Sequence, residues 1–452
     1  MNIFHPAFII ASIWSIMPNF SWANDGVFHF YGIFDIAYGH QSNGLPPNAN
    51  NGASIVSTIF SNASNPNVGS HAGLWSGGIS QNRMGITGNV RFNNDWHGGY
   101  LLETGINIIN GRFVNNSQGL VDNSGFANSA FYQSASTNGS QNGQFINREG
   151  YLSLGETHWG SLRLGRNNTL INDTAQQFDP TYASQVFGFL TSSSGFGGGS
   201  GVSETTRLNR SVKYLNQLKN IQIGLFHAQG DGSGLSDQGR ANGVGLGFTS
   251  DHFKMNCAYT SQTDAIKESV ATIVDRVAAT VYNSKGWILG ASYLVNDRLT
   301  FKMGKSHYSL SAPTHPQSTA TLGSIHGFML ASSPTNYSGS DINAQLNWVG
   351  VNYTATDKVT VYSGYYRANY DGYTSTVGGG RYTATAGGVQ WTSLLVNYRI
   401  NDHADTYFAL AHIHLDNTSK TTAITGSTKS GSTLYSPIAS NQLLGLGFRY
   451  KF

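Results

Sequence analysis

Gln442–Phe452, QLLGLGFRYKF, alternates without a break. Leu444, Leu446, Phe448, Tyr450 and Phe452 fall on one face, and Gly445, Gly447, Arg449 and Lys451 on the other. A period of two marks a β-strand, here with one apolar face and one small or charged face. Val27–Tyr38, VFHFYGIFDIAY, reads the same way. Phe28, Phe30, Gly32, Phe34, Ile36 and Tyr38 share one face, with His29, Tyr31, Ile33 and Asp35 opposite. Both ends of the chain are therefore strands of one kind.

Similar segments recur at 79–92, 97–109, 145–154, 160–168, 207–216, 220–229, 240–250, 252–261, 286–295, 299–310, 342–354, 359–369, 391–400 and 403–414, which makes about sixteen with the two ends. Short connections such as Asn93-Asn94-Asp95-Trp96, Asn296-Asp297-Arg298 and Asn401-Asp402 alternate with long ones at 39–78, 110–144, 169–206, 262–285, 311–341, 370–390 and 415–441. The long ones are rich in Gly, Ser, Asn and Thr, as loops are. Dyad strands of about ten residues, joined alternately by tight turns and long loops, are the signature of a transmembrane antiparallel β-barrel. Closure is obligatory there, because backbone N–H and C=O groups in hydrocarbon must all be paired. Tyr38, Tyr214, Tyr259, Tyr353 and Tyr450, near strand ends, suit the aromatic girdles of such a barrel. The alternative, a secreted β-solenoid, would repeat at a fixed short period, which this chain does not.

Composition agrees. Of 452 residues only 11% are charged, against about 25% in an average soluble domain. With 23 Tyr, 24 Phe and 55 Gly the chain is too aromatic for a disordered one. Its single cysteine, Cys257, excludes a disulfide framework, and it alternates with Phe253, Met255 and Tyr259, which suits a lipid-facing position. A net charge of +3 is too small for a nucleic-acid footprint, so no nucleic acid is expected as a partner.

The N-terminus reads as a targeting segment. Ala7–Met17, AFIIASIWSIM, has the length of a signal-peptide core, and Ser21-Trp22-Ala23 places small residues at −3 and −1 of a cleavage site. Cleavage after Ala23 leaves a mature barrel of residues 24–452. The leading MNIFHP lacks Lys and Arg, a departure from the usual pattern, and a short membrane anchor is the competing reading.

Four places resemble a known family. Phe30-Tyr31-Gly32-Ile33-Phe34-Asp35 resembles an L-Y-G-x-x-D opening strand. Asn82-Arg83-Met84-Gly85-Ile86-Thr87-Gly88, followed by Leu102-Glu103-Thr104-Gly105, resembles S-R-x-G-x-[KR]-G of a second strand. Phe145–Leu154 (FINREGYLSL) with Leu164-Gly165-Arg166-Asn167 resembles an N-R-x-x-Y-x-x-L…L-G-R pair, and Arg207–Tyr214 (RLNRSVKY) resembles R-x-x-N-S-V-x-Y. With a closing Phe452, these are similar, in order and spacing, to the Gram-negative general porins.

The resemblance implies an all-β, trimeric, sixteen-stranded barrel in the outer membrane. It implies passage of small hydrophilic solutes and ions through a water-filled lumen narrowed by an inward-folded third loop, here residues 169–206. It implies self-association as a homotrimer, with outer-membrane lipid and the insertion machinery as further partners, the latter recognising Phe452. The strands at 27–38, 79–92, 97–109 and 145–168 would face the trimer axis, and the 110–144 loop would latch onto a neighbour. No cofactor or metal is implied.

Carried over residue by residue, Arg83, Arg148 and Arg207 take the basic wall positions of the pore constriction. Asp179 is the first candidate for the opposing acid, followed by Asp173 and Glu204. Arg suits the role because it stays charged at any relevant pH. A second reading has the arginines hold the loop by pairing with its carboxylates, and Asp173 anchor it through Arg166; the two readings are compatible. Ile33 and Thr87 stand where relatives often carry a basic residue, so the field should be weaker. By parity Arg163, Lys213 and Arg449 also face the lumen. Inward basic groups then outnumber inward acids such as Asp35, Glu103 and Asp179, which favours anions modestly.

Other signals are bland. Gly195–Gly201, GFGGGSG, lacks the Lys-Ser/Thr of a phosphate-binding loop. His412 and His414 lie on one strand face near its end, where a polar girdle is favoured over a metal site. An outer-membrane enzyme, protease or phospholipase, would need an ordered catalytic set, and neither a nucleophile elbow nor an HExxH is found. An adhesin whose barrel only displays loops is the third reading.

Overall fold

The computed structural model describes residues 28–43, 69–109, 111–113, 145–192, 206–230, 239–270, 276–317, 324–325, 328–330, 332–377, 380–416, 421–425, 433–435 and 440–452. The predicted cleavage site, the 114–144 stretch, the glycine run 195–201 and Glu204 lie outside the described residues.

Sixteen antiparallel strands close into a barrel. The first five are β1 (His29–Gln41), β2 (Arg83–Arg91), β3 (Trp96–Asn107), β4 (Gly150–Glu156) and β5 (Gly160–Asn168). After the third long loop come β6 (Arg207–Leu218), β7 (Ile221–Ala228), β8 (Ala241–Thr249), β9 (Phe253–Val270), β10 (Arg276–Asn296) and β11 (Leu299–Ser311). The wall is completed by β12 (Ile342–Thr354), β13 (Val359–Tyr370), β14 (Gly387–Arg399), β15 (Ala404–Asp416) and β16 (Ser440–Lys451). β16 pairs with β1 from Ile33↔Lys451 to Gln41↔Leu443, which closes the cylinder.

The alternation seen in the sequence is an inside–outside code. In β16, Leu444, Leu446, Phe448 and Tyr450 are exposed on the outer face, whereas Asn441, Leu443, Gly445 and Gly447 are buried inside. Short turns are set by asparagines. Asn93 Oδ1 accepts from the amides of Asp95 and Trp96 at 2.9 and 2.8 Å, and Asn401 Oδ1 from those of His403 and Ala404 at 2.9 and 2.8 Å. Such side chains substitute for a backbone turn acceptor. At the seam, Gly32 and Phe452 exchange backbone hydrogen bonds of 2.9 and 3.1 Å. The Phe452 ring packs against Phe30 and Phe34 and covers Gly32, where a Cβ would lie 2.4 Å from the ring.

Several stretches differ from the sequence expectation. The strand expected over 79–92 begins only at Arg83, after an inward excursion described below. The expected loop 262–285 is largely strand, because β9 and β10 continue as a hairpin beyond a register shift at Gln262/Ala265, where Asp264 takes a positive φ of 50°. A bulge of this kind interrupts the alternation without ending the strand. The loops expected at 311–341, 370–390 and 415–441 contribute Ser338–Gly339, Tyr373–Val377, Gly380–Ala384, Thr421–Thr425 and Thr433–Tyr435 to a separate five-stranded sheet at the long-loop end.

The apolar core lies inside the barrel. After β5 the chain turns inward through α1 (Leu170–Phe178) and α2 (Phe189–Ser192). Leu170, Ile171, Phe178, Val186, Phe187 and Phe189 pack against inward residues of the wall, among them Ile288, Leu346, Trp348, Tyr366, Trp391 and Leu443. The wall makes room with glycines at inward positions. A Cβ on Gly224 would lie 2.7 Å from Leu170, on Gly290 2.5 Å from Phe178, on Gly350 2.3 Å from Pro180, and on Gly445 2.7 Å from Phe187. Much of this chain's high glycine content on β7 to β16 is the seat of one loop.

The candidate pore constriction

Two Asn-Arg pairs build the charged side of the lumen. Asn82 precedes β2 and Asn147 precedes β4, and each bridges to the neighbouring strand with its amide. Asn82 accepts from the Asp35 N–H and donates to the Asp35 carbonyl at 2.9 Å. Asn147 accepts from the Gly105 N–H at 2.7 Å and donates to its carbonyl at 3.0 Å. Each side chain thus stands in for a backbone rung where the strand breaks, so the backbone groups stay paired. The arginine that follows each asparagine then points inward at one carboxylate. Arg83 Nε lies 3.2 Å from Glu103 Oε2, Arg148 Nε pairs with Glu103 Oε1, and Tyr31 donates to Oε2 at 2.9 Å.

Arg207, at the head of β6, is only 4% exposed, and among the described residues its Nε has no hydrogen-bond partner. It sits in the field of Arg148, Arg166, Glu103 and Glu149. Arg166 donates to Asn209 at 2.7 Å and to the Asn147 carbonyl at 3.2 Å, so it braces the wall. This cluster holds four guanidinium groups against two carboxylates.

The structure places the loop acids elsewhere. Asp173, in the first turn of α1, pairs with Lys213 Nζ at 2.5 Å, and the fully buried Lys213 also donates to the Asn168 carbonyl at 2.9 Å. Asp179 follows α1 and is fully buried on the opposite wall. Its Oδ1 accepts from Tyr366 Oη at 2.5 Å and from the N–H and hydroxyl of Thr181, both at 2.9 Å. Burial holds the Asp179 carboxyl above the usual carboxylate range, although Tyr366, Thr181 and the charge of Lys302 pull the other way. The acid against Arg83 and Arg148 is therefore Glu103, on the wall, and not Asp179.

The other inward bases are also paired. Arg163 stacks on the Tyr151 ring at 4.8 Å. Arg449 grips Asp405 with Nε and Nη2, and donates to Ser80 Oγ at 2.8 Å, while Lys451 Nζ lies 3.0 Å from the same Asp405. Sequence reasoning missed the residues that clamp the far end of α1. Lys302 donates to the carbonyls of Gln177 and Asp179 at 2.9 and 3.1 Å, and Trp348 Nε1 donates to the Phe178 carbonyl at 3.0 Å. A cation at a helix C-terminus suits the helix dipole. On the outer face, His414 Nε2 lies 3.0 Å from Asp416, which also binds Arg367.

Among the described residues a cavity of about 710 Å³ lies open beside this cluster. Its upper part is bounded by Tyr31, Arg83, Glu103 and Arg148 on the wall and by Asp173, Gln176, Gln177 and Tyr182 on the loop, and it runs down to the turns at Asn220 and His252. The face that the loop offers is mostly amide, with one carboxylate already neutralised.

A polar lumen inside an apolar cylinder, crossed by an inward loop, defines a membrane channel. The Gram-negative porin family model matches residues 16–418. The chain belongs to that family, and it forms an outer-membrane β-barrel channel for passive diffusion. Similar solved structures include an anion-selective porin from Comamonas acidovorans, at 13% identity and a TM-score of 0.56, covering 94% of this chain and 99% of that one. Another is OmpT of Vibrio cholerae in a trimer form, at 13% identity and 0.52, covering 95% and 100%. OmpF of Salmonella typhi in complex with daunomycin is similar at 12% identity and 0.50, covering 95% and 98%. No curated protein matches the sequence.

Proposed function

We propose that the channel prefers small anionic solutes, and that its selective segment is the wall cluster of Arg83, Arg148 and Arg207 facing the Asp173 side of the third loop. The observation that carries this is the charge of the wall: Arg83 and Arg148 line the cavity with Glu103 and Glu149, the buried Arg166 and Arg207 add to their field, and the loop opposite offers Gln176, Gln177 and an Asp173 already paired with Lys213. Rings of basic side chains attract anions. In a narrow lumen the effective dielectric lies below that of water, so these charges outweigh those on distant loops, which are screened beyond roughly 8–10 Å at physiological salt. Replacing all three arginines by Gln should move the reversal potential in a tenfold KCl gradient toward cations. An unchanged reversal potential would remove the cluster from the selective segment. Diffusion, rather than hydrolysis, is the activity this supports. Liposome swelling without peptidase or lipase activity is the expected result.

The same reading takes the chain as a homotrimer that enters the outer membrane after cleavage at Ala23, with Phe452 as its insertion signal. Wall height supports the trimer. The 7 residues of β4 reach about 23 Å along the strand at roughly 3.3 Å each, and less once tilted, short of the roughly 25 Å apolar band. Leu152, Leu154, Leu162 and Leu164 are exposed on that low outer face, whereas β10 runs for 21 residues. A neighbouring copy would cover what lipid cannot. Light scattering in mild detergent should give three chains, and a monomer would overturn it. Mass spectrometry of the mature chain tests the cleavage position.

A further inference from the structure

The loop that narrows the lumen faces a smaller element on the wall. β1 pairs with His71–Ser76 at its upper end and with β2 at its lower end, so both pieces occupy the second position in the barrel. The register counts what lies between them. Ile36 faces Ser76 and Ile33 faces Arg83, so three steps along β1 are matched by seven along its neighbour. Four residues are therefore extra. Because four is even, the inside–outside parity of the two pieces is the same, and the surplus is expelled without reversing any side chain.

The surplus goes inward. The inward-facing carboxylate of Asp35, fully buried, accepts from the amides of Gly78, Ile79 and Ser80 at 3.1, 2.9 and 2.6 Å, and from Tyr407 Oη at 2.6 Å. These donors fix residues 77–82 as a tongue inside the barrel. The Gly78 carbonyl accepts from the Val186 N–H of the third loop at 3.0 Å. The Gln81 backbone carbonyl accepts from Arg83 Nη1 at 3.3 Å, and the Gln81 side-chain oxygen accepts from Arg148 Nη1. One short segment thus holds the tip of the loop and two guanidinium groups of the wall.

We infer that residues 77–82 are a second constriction element, which sets the size and the charge of the narrow segment from the wall side. This rests on the channel reading above. Gln81 acts as a positioning residue: it holds Arg83 and Arg148 beside Glu103 while adding no charge of its own.

The arithmetic supplies the test. Deleting Gly78–Gln81 leaves Gly77 opposite Asp35 and Asn82 opposite Phe34, a continuous strand with every later residue in register. The full-length deletion variant should insert, and its single-channel conductance in a planar bilayer should rise by about half or more, since pore diameter limits flow. Gln81→Glu keeps the length and the acceptor but adds a carboxylate, and should lower the anion-to-cation permeability ratio by about twofold or more. A wild-type barrel that does not conduct sinks both the channel reading and the tongue. A conducting wild type, with either variant conducting and unchanged in its stated property, sinks the tongue alone. Gln81→Glu decides the matter if the deletion variant fails to assemble.

Discussion

The lumen has two halves built from the same strand code. On β1 to β5 the inward positions include Tyr31, Asp35, Arg83, Glu103 and Arg163, joined by Arg148 just before β4, with Leu101 and Tyr151 among them. On β10 to β16 many are apolar: Ile288, Leu346, Trp348, Trp391, Ile413 and Leu443. A wall facing water alone has no reason to carry two buried tryptophans. The difference shows that much of the far half is the bed of the third loop, which buries its apolar side there, while Ser292, Thr300 and Lys302 at its lower edge still line the cavity. The open cavity runs past the charged cluster of the near half and on beside Lys254, Thr300 and Lys302. The proposed selective cluster and most of the apolar loop attachment thereby fall on different parts of the wall.

Breaking the far half should have the largest effect. Phe178 is fully buried, fills the hollow over Gly290, and its carbonyl is held by Trp348. Phe178→Ala should cost about 3–5 kcal/mol, as large-to-small changes in packed cores do. Urea titration in lipid vesicles checks the loss. Bilayer recordings should show a noisier, larger conductance as the loop loses its seat. A quiet channel of wild-type conductance would mean that the apolar bed does not hold the loop.

A smaller effect is expected at the join between the two halves. Lys213 and Asp173 tie the start of α1 to β6, and Asp173 lines the path. Asp173→Asn keeps an oxygen for the ammonium group but leaves its charge uncompensated. The anion-to-cation permeability ratio should rise by about twofold or less, since only one charge changes. A ratio that falls would place Asp173 outside the conducting path.

The near and far halves were unequally legible in the sequence. Strand alternation is local, so QLLGLGFRYKF gave away its faces, and the asparagine turns marked most ends. The arginines stood in quotable motifs. The partner of Arg83 and Arg148, Glu103, was visible as an inward residue but not as their ion pair, because that depends on Asn82 and Asn147 replacing backbone rungs. The repeated Asn-Arg dipeptide was the available signal. The tongue was hidden because Gly77-Gly78-Ile79-Ser80 still resembles a strand entry; only the register reveals four surplus residues. The bed of the loop was hidden because inward apolar residues in a barrel alternate with outward apolar ones, and hydropathy alone cannot say which side faces lipid.

Asp179 gives the sharpest and smallest test of the division. The motif reading made it the acid opposite the arginines, so neutralising it would have moved selectivity toward anions. In the structure it is buried on the loop-binding wall, held by Tyr366 and Thr181, and among the described residues its Oδ2 has no hydrogen-bond partner. Asp179→Asn should therefore leave the reversal potential in a KCl gradient where it was. Its effect should appear in stability. Burial raises the folded-state pKa of Asp179, so the folded protein binds this proton more tightly than the unfolded chain does. Stability of the wild type relative to Asp179→Asn is then lost as pH rises from the ordinary carboxylate value through the raised one, and the two proteins converge in acid below that window. Paired urea titrations at acidic and neutral pH measure the difference. A variant less stable at neutral pH, or one with a shifted reversal potential, would return Asp179 to the conducting path and erase the separation between the two walls.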